Sequence, residues 1–260
     1  MSSTPTILLI DADSLMWSSC FAPKEVDEKF ETDLDEVEYR FNEKLMYIEN
    51  SLEEQYGGHF DIQARVLFFE GAGNFRKAIN PEYKANRKDV EIPPLLQPLK
   101  DLIRTKEAWV NIYHTFESHN VETDDSLVAT YKKWKGNGYE IIICSSDKDL
   151  RTIPCLVYDY YHTRQELLNI DEETARHNFF VQMLVGDRAD NVKGIKGLGV
   201  VKAGKALNGC SSTFSYLKAV YGAYLKEYGR NAKLEFVKAY NMLKLVDEKI
   251  HTPSLDEVMF

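Results

Sequence analysis

The sequence lacks several features that would assign a protein of 260 residues to a membrane, a secreted or a zinc-binding class. Its four cysteines are widely spaced and form no C-x-x-C pair, which argues against a zinc site and a disulfide framework. Its longest apolar runs are strand-sized, whereas a membrane helix needs roughly 20 apolar residues. Asp11 and Asp13 stand where a signal peptide would be most apolar. We therefore expect a globular protein that stays in the cytoplasm.

The protein also lacks the basic excess that is typical of nucleic-acid-binding proteins, since 41 acidic and 32 basic residues give a net charge of −9. The segment 24–61 contains 13 of the acidic and 4 of the basic residues, so the remainder is balanced at 28 of each. Within that remainder, the stretches 75–89 and 184–205 are locally basic. The acidic total therefore does not exclude a nucleic-acid partner.

Apolar runs alternate with helical patterns along the first part of the chain, which predicts an α/β fold with a central, mainly parallel sheet flanked by helices. Buried strands are expected at 7–10, 66–69 and 141–144, and shorter strands at 111–113 and 155–158. From residue 171 onward the pattern is helical. We therefore divide the chain into an α/β core at 1–169 and a helical portion at 170–260.

Three stretches carry the signals of helix starts. Apolar residues spaced by three and four over 33–56 predict a helix with an acidic outer face. Asn80 followed by Pro81 predicts the N-cap and first turn of a short helix that runs through Lys88. Thr123 is expected to cap the helix that precedes the third long strand.

Acidic residues follow three of the predicted strands. Asp11 and Asp13 follow the first, Glu70 follows the second, and Asp147 and Asp149 follow the third. Ligands of open α/β sheets gather beyond the carboxyl ends of the strands, so we expect these side chains to converge. Further carboxylates that would join them are Glu122, Asp124, Asp125, Asp187 and Asp190.

Ten carboxylates in one neighbourhood repel each other unless a cation neutralises them. Mg²⁺ and Mn²⁺ take oxygen ligands, whereas the six histidines form no spaced set that would suit zinc. Each acidic group taken alone has a simpler interpretation, as first-turn residues of a helix, as turn formers or as partners of basic neighbours. Their joint placement favours a site for a hard divalent cation.

The two basic stretches suggest contacts with phosphate groups. If Asn80 caps a helix, Lys84 and Arg87 lie on one face of it, and fixed cations aimed at a phosphoryl group lower the barrier to its hydrolysis. The turn at 192–199 contains three glycines and is followed by a helix that begins at about Val200, so its backbone amides can approach phosphates. The alternatives are solvated surface lysines and a turn that only packs two helices together.

Five stretches resemble the 5′-nuclease (flap endonuclease) family with its PIN-like fold, and within it the 5′→3′ exonucleases of short-tailed bacteriophages. They occur in the family's order and cover roughly residues 7–207. They are I-D-A-D-S at 10–14, N-P-E-Y-K-A-N-R-K at 80–88, V-E-T-D-D at 121–125, S-D-K-D-L at 146–150 and G-D-R-A-D-N-V-K-G-I-K-G-L-G at 186–199. The resemblance implies a metal-dependent 5′→3′ exonuclease that leaves 5′-phosphate products. It also implies a DNA-binding helix–turn–helix motif near 179–207.

The resemblance further implies two metal ions, Mg²⁺ or Mn²⁺, and a set of ligands for each. The first ion would be held by Asp11, Glu70, Glu122 and Asp124, and the second would lie near Asp125, Asp147, Asp149, Asp187 and Asp190. Glu70 stands where the family usually has aspartate. Asp13 has no counterpart in the commonest form of the first motif and is either a water-mediated ligand or a turn residue.

The same resemblance implies roles for the basic stretches. Lys84 and Arg87 would reach the scissile phosphate, and Tyr83 would stack on the terminal base. A potassium ion would bind the glycine-rich turn through backbone carbonyls. Together with Tyr83, the expected DNA contacts are Arg76, Lys77, Lys88, Lys193, Gly194, Lys196, Gly197, Gly199, Lys202 and Lys205.

The substrate expected from the resemblance is duplex DNA, with RNA primers or RNA–DNA hybrids as further substrates, in phage replication and recombination. We expect a monomer. A structure-specific flap endonuclease is the nearest alternative, and in that case the proline-containing region 90–106 would form the arch over the 5′ strand. A PIN-type ribonuclease and a non-catalytic protein that binds DNA structures are more distant alternatives.

Overall fold

In the computed structural model, which describes residues 3–25, 27–160, 165–246 and 250–259, the centre of the molecule is a six-stranded sheet. Its strands are β1 (Thr4–Asp11), β2 (Phe60–Glu70), β3 (His114–Ser118), β4 (Glu140–Cys144), β5 (Leu156–Asp159) and β6 (Glu166–Asn169). Their order is β3-β2-β1-β4-β5-β6, and all neighbours are parallel except β5 and β6. The predicted central, mainly parallel sheet is confirmed.

Helices cover both faces of the sheet and make up most of the chain after residue 170. They are α1 (Asp13–Ser19), α2 (Leu34–Tyr56), α3 (Phe75–Ile79), α4 (Leu96–Thr105), α5 (Glu107–Val110), α6 (Thr123–Trp134), α7 (Glu172–Val185), α8 (Val200–Ala206), α9 (Thr213–Tyr228), α10 (Ala232–Leu243) and α11 (Leu255–Met259). Between α7 and α8, the two-residue strands β7 (Gly186–Asp187) and β8 (Val192–Lys193) pair antiparallel. Within the described ranges, no helix combines the length and the apolar character needed to cross a membrane.

The connection from β3 to β4 reverses the direction in which the sheet grows. From β1 the chain adds β2 and β3 on one side, and it then crosses to add β4 and β5 on the other side of β1. At their carboxyl ends, Ile10 of β1 pairs with Cys144 of β4. A crevice at such a switch point is where ligands bind in open α/β sheets.

The side chains of β1 pack alternately into two separate cores, because successive side chains of a strand point to opposite faces. Leu8 and Ile10 pack with α1, α2 and α4, whereas Ile7 and Leu9 pack with α6 on the other face. All four are completely buried, as is usual for parallel sheets with helices on both faces. The sheet is therefore a fixed platform for the residues at its edge.

A third core lies among α7, α8, α9 and α10, and Tyr83 from the preceding part of the chain joins it. The last described residues return to the sheet, since Leu245 and Val258 pack into the core on the α6 face. The division of the chain near residue 169 stays a prediction, as does the helix–turn–helix motif between α7 and α8.

The prediction of a helix that begins at Asn80 is wrong. Asn80 ends α3 instead, and its N–H donates to the carbonyl of Arg76 at 2.8 Å. The helix begins earlier because the Asn74 side chain caps it and accepts a hydrogen bond from the Arg76 N–H at 2.9 Å. Lys84 then has a left-handed backbone (φ 55°) ahead of a short 3₁₀ turn, so it does not share a helical face with Arg87.

Two other boundaries differ from the prediction. The strand expected at 111–113 begins later, as β3 at His114. It begins there because the Tyr113 N–H still donates to the carbonyl of Trp109 in α5. Glu122 rather than Thr123 caps α6, in a reciprocal capping box with Asp125. By contrast, the long acidic helix is confirmed, with Asp33 as its N-cap and a left-handed glycine at its end.

The proline-containing region 90–106 is largely a helix attached to the platform. Pro98 lies in the first turn of α4, where a missing N–H breaks no intrahelical bond. Leu99 and Ile103 are completely buried in the core that contains α2. The irregular part of this region is limited to the residues before Leu95.

Candidate active site

Two adjoining cavities open at the carboxyl edge of the sheet, beside the switch point. The first has a volume of about 680 Å³ and the second about 450 Å³, and Asp11, Ser14, Arg87 and Asp147 line both. The first cavity adds Asp13, Glu70 and Asp124, and the second adds Asp149, Asp187 and Asp190. Eight of the ten carboxylates expected from the sequence therefore lie around one double cavity, although they come from five separate parts of the chain.

Asp11 occupies the centre of this arrangement at the end of β1. Its carboxylate accepts hydrogen bonds from the Ser145 hydroxyl at 2.9 Å and from the Asp13 N–H at 3.2 Å. Burial, followed by the nearby charges of Asp13 and Asp147, raises its pKa to about 7. Hydrogen bonds thus fix the position of the Asp11 carboxylate, and its surroundings disfavour the ionised form.

Asp124 and Asp149 experience the same kind of repulsion. Burial raises the pKa of Asp124 well above its usual value, and Asp147, Asp11 and Asp149 add to the effect. Burial and then Asp147 raise the pKa of Asp149 to about 7, although Asp149 accepts a hydrogen bond from Gln182 at 2.7 Å. Burial and Asp13 likewise raise the pKa of Glu70. The mutual repulsion of these carboxylates therefore favours the binding of a cation.

A hard divalent cation fits this set of donors, because the acidic ligand candidates of both cavities all offer carboxylate oxygens. Within the described ranges, however, no three Asp, Glu, His or Cys side chains already surround one point closely enough to hold an ion. Binding therefore needs small side-chain rotations or bridging waters, and Mg²⁺ usually keeps several waters.

Lys84 and Arg87 are paired with carboxylates at the rim of the cavities. Lys84 donates to Glu122, and its Nζ lies 3.8 Å from Asp190, while Arg87 donates to Asp190 at 2.8 Å. Burial opposes ionisation of Glu122, but Lys84 and then Arg76 outweigh it and lower its pKa. Both cations line the first cavity, and Arg87 also lines the second.

Asp187 belongs to a second ion pair, with Lys148. Its other carboxylate oxygen accepts a hydrogen bond from the Ala189 N–H at 2.7 Å. Burial again opposes ionisation, and the Lys148 contact outweighs it and lowers the pKa of Asp187. A cation bound in the second cavity would thus compete with Lys148 for this carboxylate.

The Asp13 carboxylate connects three elements at the wall of the first cavity. Its carboxylate accepts hydrogen bonds from the Glu70 N–H at 2.9 and 3.1 Å and from the Thr123 hydroxyl at 2.6 Å. Lys100 contacts the same carboxylate at 3.3 Å and the Glu70 carbonyl at 2.9 Å. Of the two roles considered for Asp13, these contacts favour a structural one at the junction of β2 and α6.

The expectations for Asp125 as a metal ligand and for Arg76 as a DNA contact are wrong. Arg76 donates to both carboxylate oxygens of Asp125, at 2.5 and 2.8 Å, and both residues are completely buried. Neither lines either cavity. Adjacent residues on a helix point about 100° apart, so Asp124 faces the site while Asp125 faces the interior.

The expectation that Tyr83 stacks on a terminal base is also wrong for this conformation. Tyr83 is 2% exposed, and its hydroxyl contacts Glu122 at 2.9 Å and Asp190 at 2.7 Å. Burial, followed by these two carboxylates, raises its pKa far above the usual value. The ring belongs to the core of the helical portion.

The glycine-rich turn after α7 contains glycines of two kinds. A Cβ at Gly194 would lie 2.2 Å from the Val185 backbone, so this glycine permits close packing of the chain. Gly197, with φ 77°, and Gly199 have open space around them. The expected lysine contacts of the two basic stretches are all exposed; they are Lys77, Lys88, Lys193, Lys196, Lys202 and Lys205.

Several residues that line the cavities were not predicted as site residues. Among them, Lys100 and Trp17 line the first cavity, and Lys148 and Asp159 line the second. Lys148 lies between the candidate ligands Asp147 and Asp149 in the sequence. Its positive charge could have suggested an ion pair with one of the predicted carboxylates. Lys100 and Trp17 have no such signal, because their positions depend on how α4 and α1 pack.

The sequence is similar to a known protein family and to several proteins of bacteria. The family model described as "5′-3′ exonuclease, N-terminal resolvase-like domain" matches residues 6–180. The 5′-3′ exonuclease of Aquifex aeolicus is 26% identical over 274 aligned positions, which cover 97% of this chain and 89% of that protein. DNA polymerase I of Caldicellulosiruptor bescii is 24% identical over 225 positions, or 79% of this chain. The chain spans only about a quarter (24%) of that polymerase.

A solved structure gives the same fold. The flap endonuclease of bacteriophage T5, in a pseudo-enzyme–product complex with DNA and metal ions, aligns with a TM-score of 0.61 and 18% identity. The alignment covers 93% of this chain and 89% of that one. The mainly parallel sheet with flanking helices and a helical C-terminal part is therefore shared with that protein.

Proposed function

Because the chain belongs to the family of 5′-3′ exonucleases with an N-terminal resolvase-like domain, we propose that it is a divalent-metal-dependent nuclease. It hydrolyses phosphodiester bonds from the 5′ end of duplex DNA and leaves 5′-phosphate products. One observation carries this proposal: eight of the ten carboxylates predicted from the sequence line two adjoining cavities beside Lys84 and Arg87. A cluster of this kind suits cations, and cations together with fixed basic groups suit a phosphodiester.

The residues divide into groups that hold cations and groups that hold the phosphate. We assign the first cation to Asp11, Glu70 and Asp124, with Asp147 shared, and the second to Asp149, Asp187 and Asp190. Two bound ions, Mg²⁺ or Mn²⁺, would supply an activated water and stabilise the leaving oxygen. Lys84 and Arg87 bind the scissile phosphate in place of their present carboxylate partners and neutralise charge that develops on its oxygens.

The exposed lysines of the glycine-rich turn support a grip on the duplex backbone. Lys196 and Lys202 are free of carboxylate partners among the described residues, and Lys202 contacts only the Gly197 carbonyl, at 3.4 Å. Contacts of this type position a duplex without reading its sequence. The helix–turn–helix assignment and a potassium ion at this turn are parts of the same proposal.

Flap cleavage is the second candidate activity, and one feature of the first cavity favours it. Trp17, Val90, Ile92 and Leu96 form an apolar side to a cavity whose floor is acidic. Val90 and Ile92 are 50% and 69% exposed, so both present apolar surface at this cavity. Such a wall suits unpaired bases of a flap or a frayed end. Action on RNA–DNA hybrids and a role in phage replication remain expectations.

Substitution of Asp147, one of the two carboxylates that line both cavities, tests the proposal. Asp147→Asn should abolish cleavage under Mg²⁺ while duplex binding stays measurable, because the change removes one charge and no bulk. Asp61→Asn is the matched control, since Asp61 is an exposed residue at the opposite end of β2. Near-normal turnover by Asp147→Asn would exclude the assignment of this cluster as the metal site.

A further inference from the structure

The buried pair Arg76–Asp125 connects two distant parts of the chain. Besides its two bonds to Asp125, the Arg76 guanidinium donates to the carbonyls of Met242 and Lys244, each at 3.0 Å. The side chain of Arg76 is 1% exposed and that of Asp125 is 0% exposed. Arg76 thus fastens the end of α10 and the residues after it to the head of α6.

Asp125 uses all of its acceptor capacity within the protein. Its Oδ1 accepts from Arg76 and from the Val246 N–H, both at 2.8 Å, and its Oδ2 accepts from Arg76 at 2.5 Å and from the Glu122 N–H at 3.1 Å. A carboxylate offers about four such positions. No lone pair is left for a metal ion, although Asp124 beside it faces the cavity.

The pair also lies directly beneath the site. The Arg76 guanidinium is 3.4 Å from the Glu122 carboxylate, which in turn contacts Lys84. Asp125 holds the backbone N–H of the same Glu122. A shift of this pair therefore moves Glu122, Lys84 and Asp124 together.

From these contacts we infer that Arg76 and Asp125 are positioning residues for the reaction. They hold the head of α6 so that Asp124 presents its carboxylate to the first cavity and Glu122 stays beside Lys84. They also make the segment 242–246 part of what holds the site. This inference rests on the proposed function. A positioning role predicts the same loss of cleavage rate when either Arg76 or Asp125 is changed. A ligand role for Asp125 predicts a loss only when Asp125 is changed.

Single-turnover cleavage of a 5′-labelled duplex at saturating Mg²⁺ tests the inference with Arg76→Lys, Asp125→Asn and the double variant. Lysine cannot replace a bidentate guanidinium, and asparagine keeps the shape of aspartate. Each single variant should lose about 100-fold in rate, as expected for a misplacement near 1 Å, with the Kd for DNA changed little. The double variant should be no slower than either single variant, because all three break one unit.

The control is the ion pair between Arg65 and Glu49, which has a 2.7 Å contact and lies away from both cavities. Arg65→Lys and Glu49→Gln should leave the rate unchanged. If Asp125→Asn alone were slow and Arg76→Lys retained full rate, Asp125 would act as a ligand and the inference would be wrong. It would also be wrong if the Arg76 and Asp125 variants only lowered Tm and kept the wild-type rate.

Hydrogen exchange gives a readout that does not depend on cleavage. Arg76→Lys and Asp125→Asn should both increase exchange at residues 122–126 and at 242–246, while the control variants should not. Unchanged exchange at 122–126 would overturn the inference even if the wild type proved inactive, which by itself would refute only the proposed function. Val246→Pro removes one donor to Asp125 and leaves both charges in place, so it replaces any charge variant that fails to fold.

Discussion

The Tyr83 hydroxyl lies 2.7 Å from Oδ2 of Asp190, and the same hydroxyl contacts Glu122 at 2.9 Å. One phenol therefore joins the head of α6 to the turn that follows α7. Because its ring is packed in the core of the helical portion, Tyr83 holds the basic segment that carries Lys84 against both carboxylates.

Tyr83→Phe should lower the free energy of unfolding by about 1–3 kcal/mol, because the one phenolic O–H shared by two partly buried carboxylates is lost. Chemical denaturation of both proteins measures the difference. A residue that stacks on a base would behave differently, since phenylalanine stacks as well as tyrosine. Full stability in Tyr83→Phe together with loss of substrate binding in Tyr83→Ala would restore the stacking role that the buried ring argues against.

Lys84→Ala should slow single-turnover cleavage by about 10²–10³-fold, because a fixed cation beside the scissile phosphate is lost. Lys233→Ala is the control, since Lys233 is an exposed lysine on α10 that lines neither cavity. Equal rates for the two variants would show that Lys84 is only a structural partner of Glu122.

Lys196→Ala and Lys202→Ala should weaken duplex binding to the same extent on different sequences. Each should reduce the slope of log Kd against log salt by about 1, as expected for one lost phosphate contact. Fluorescence anisotropy over a range of salt concentrations measures both quantities. A sequence-dependent loss would mean that the turn reads bases.

In the presence of a chelator, the protein should become less stable as the pH rises from about 4 to about 7. Burial raises the pKa of Asp11 and of Asp149 to about 7, from 3.8 in an unconstrained chain. The folded protein then keeps protons that the unfolded chain releases, so each unit of pH in this interval favours unfolding. Thermal unfolding should show the slope, and Asp11→Asn should reduce it. A Tm that rises over this interval would contradict the assignment.

The sheet edge was predictable because strand ends are readable in the sequence. Apolar runs such as 141–144 end abruptly at polar residues, and parallel strands bring such ends together. The strand ends alone therefore predict that Asp11, Glu70, Asp147 and Asp149 lie at one edge of the sheet. The acidic helix α2 was predictable for a similar reason, since its apolar spacing continues over six turns.

The rest depended on rotations and contacts that local patterns do not specify. The neighbours Asp124 and Asp125 are chemically identical, and only the packing of α6 decides that the second faces Arg76. The five-residue helix α3 is too short for a periodic signal, and the Asn80-Pro81 pair looked like the start of a helix that it in fact follows. Lys100 enters the cavity because α4 packs on the sheet through Leu99 and Ile103.

The most direct test of the account is digestion of duplex DNA labelled at either the 5′ or the 3′ end, with Mg²⁺ and with a chelator. We predict that the 5′ label is released first, in short 5′-phosphorylated products, and that the chelator stops release completely. Flap and RNA–DNA hybrid substrates in the same assay separate the exonuclease from the flap endonuclease. Mononucleotides released first from the 3′ end, or cleavage that persists in chelator, would contradict the account.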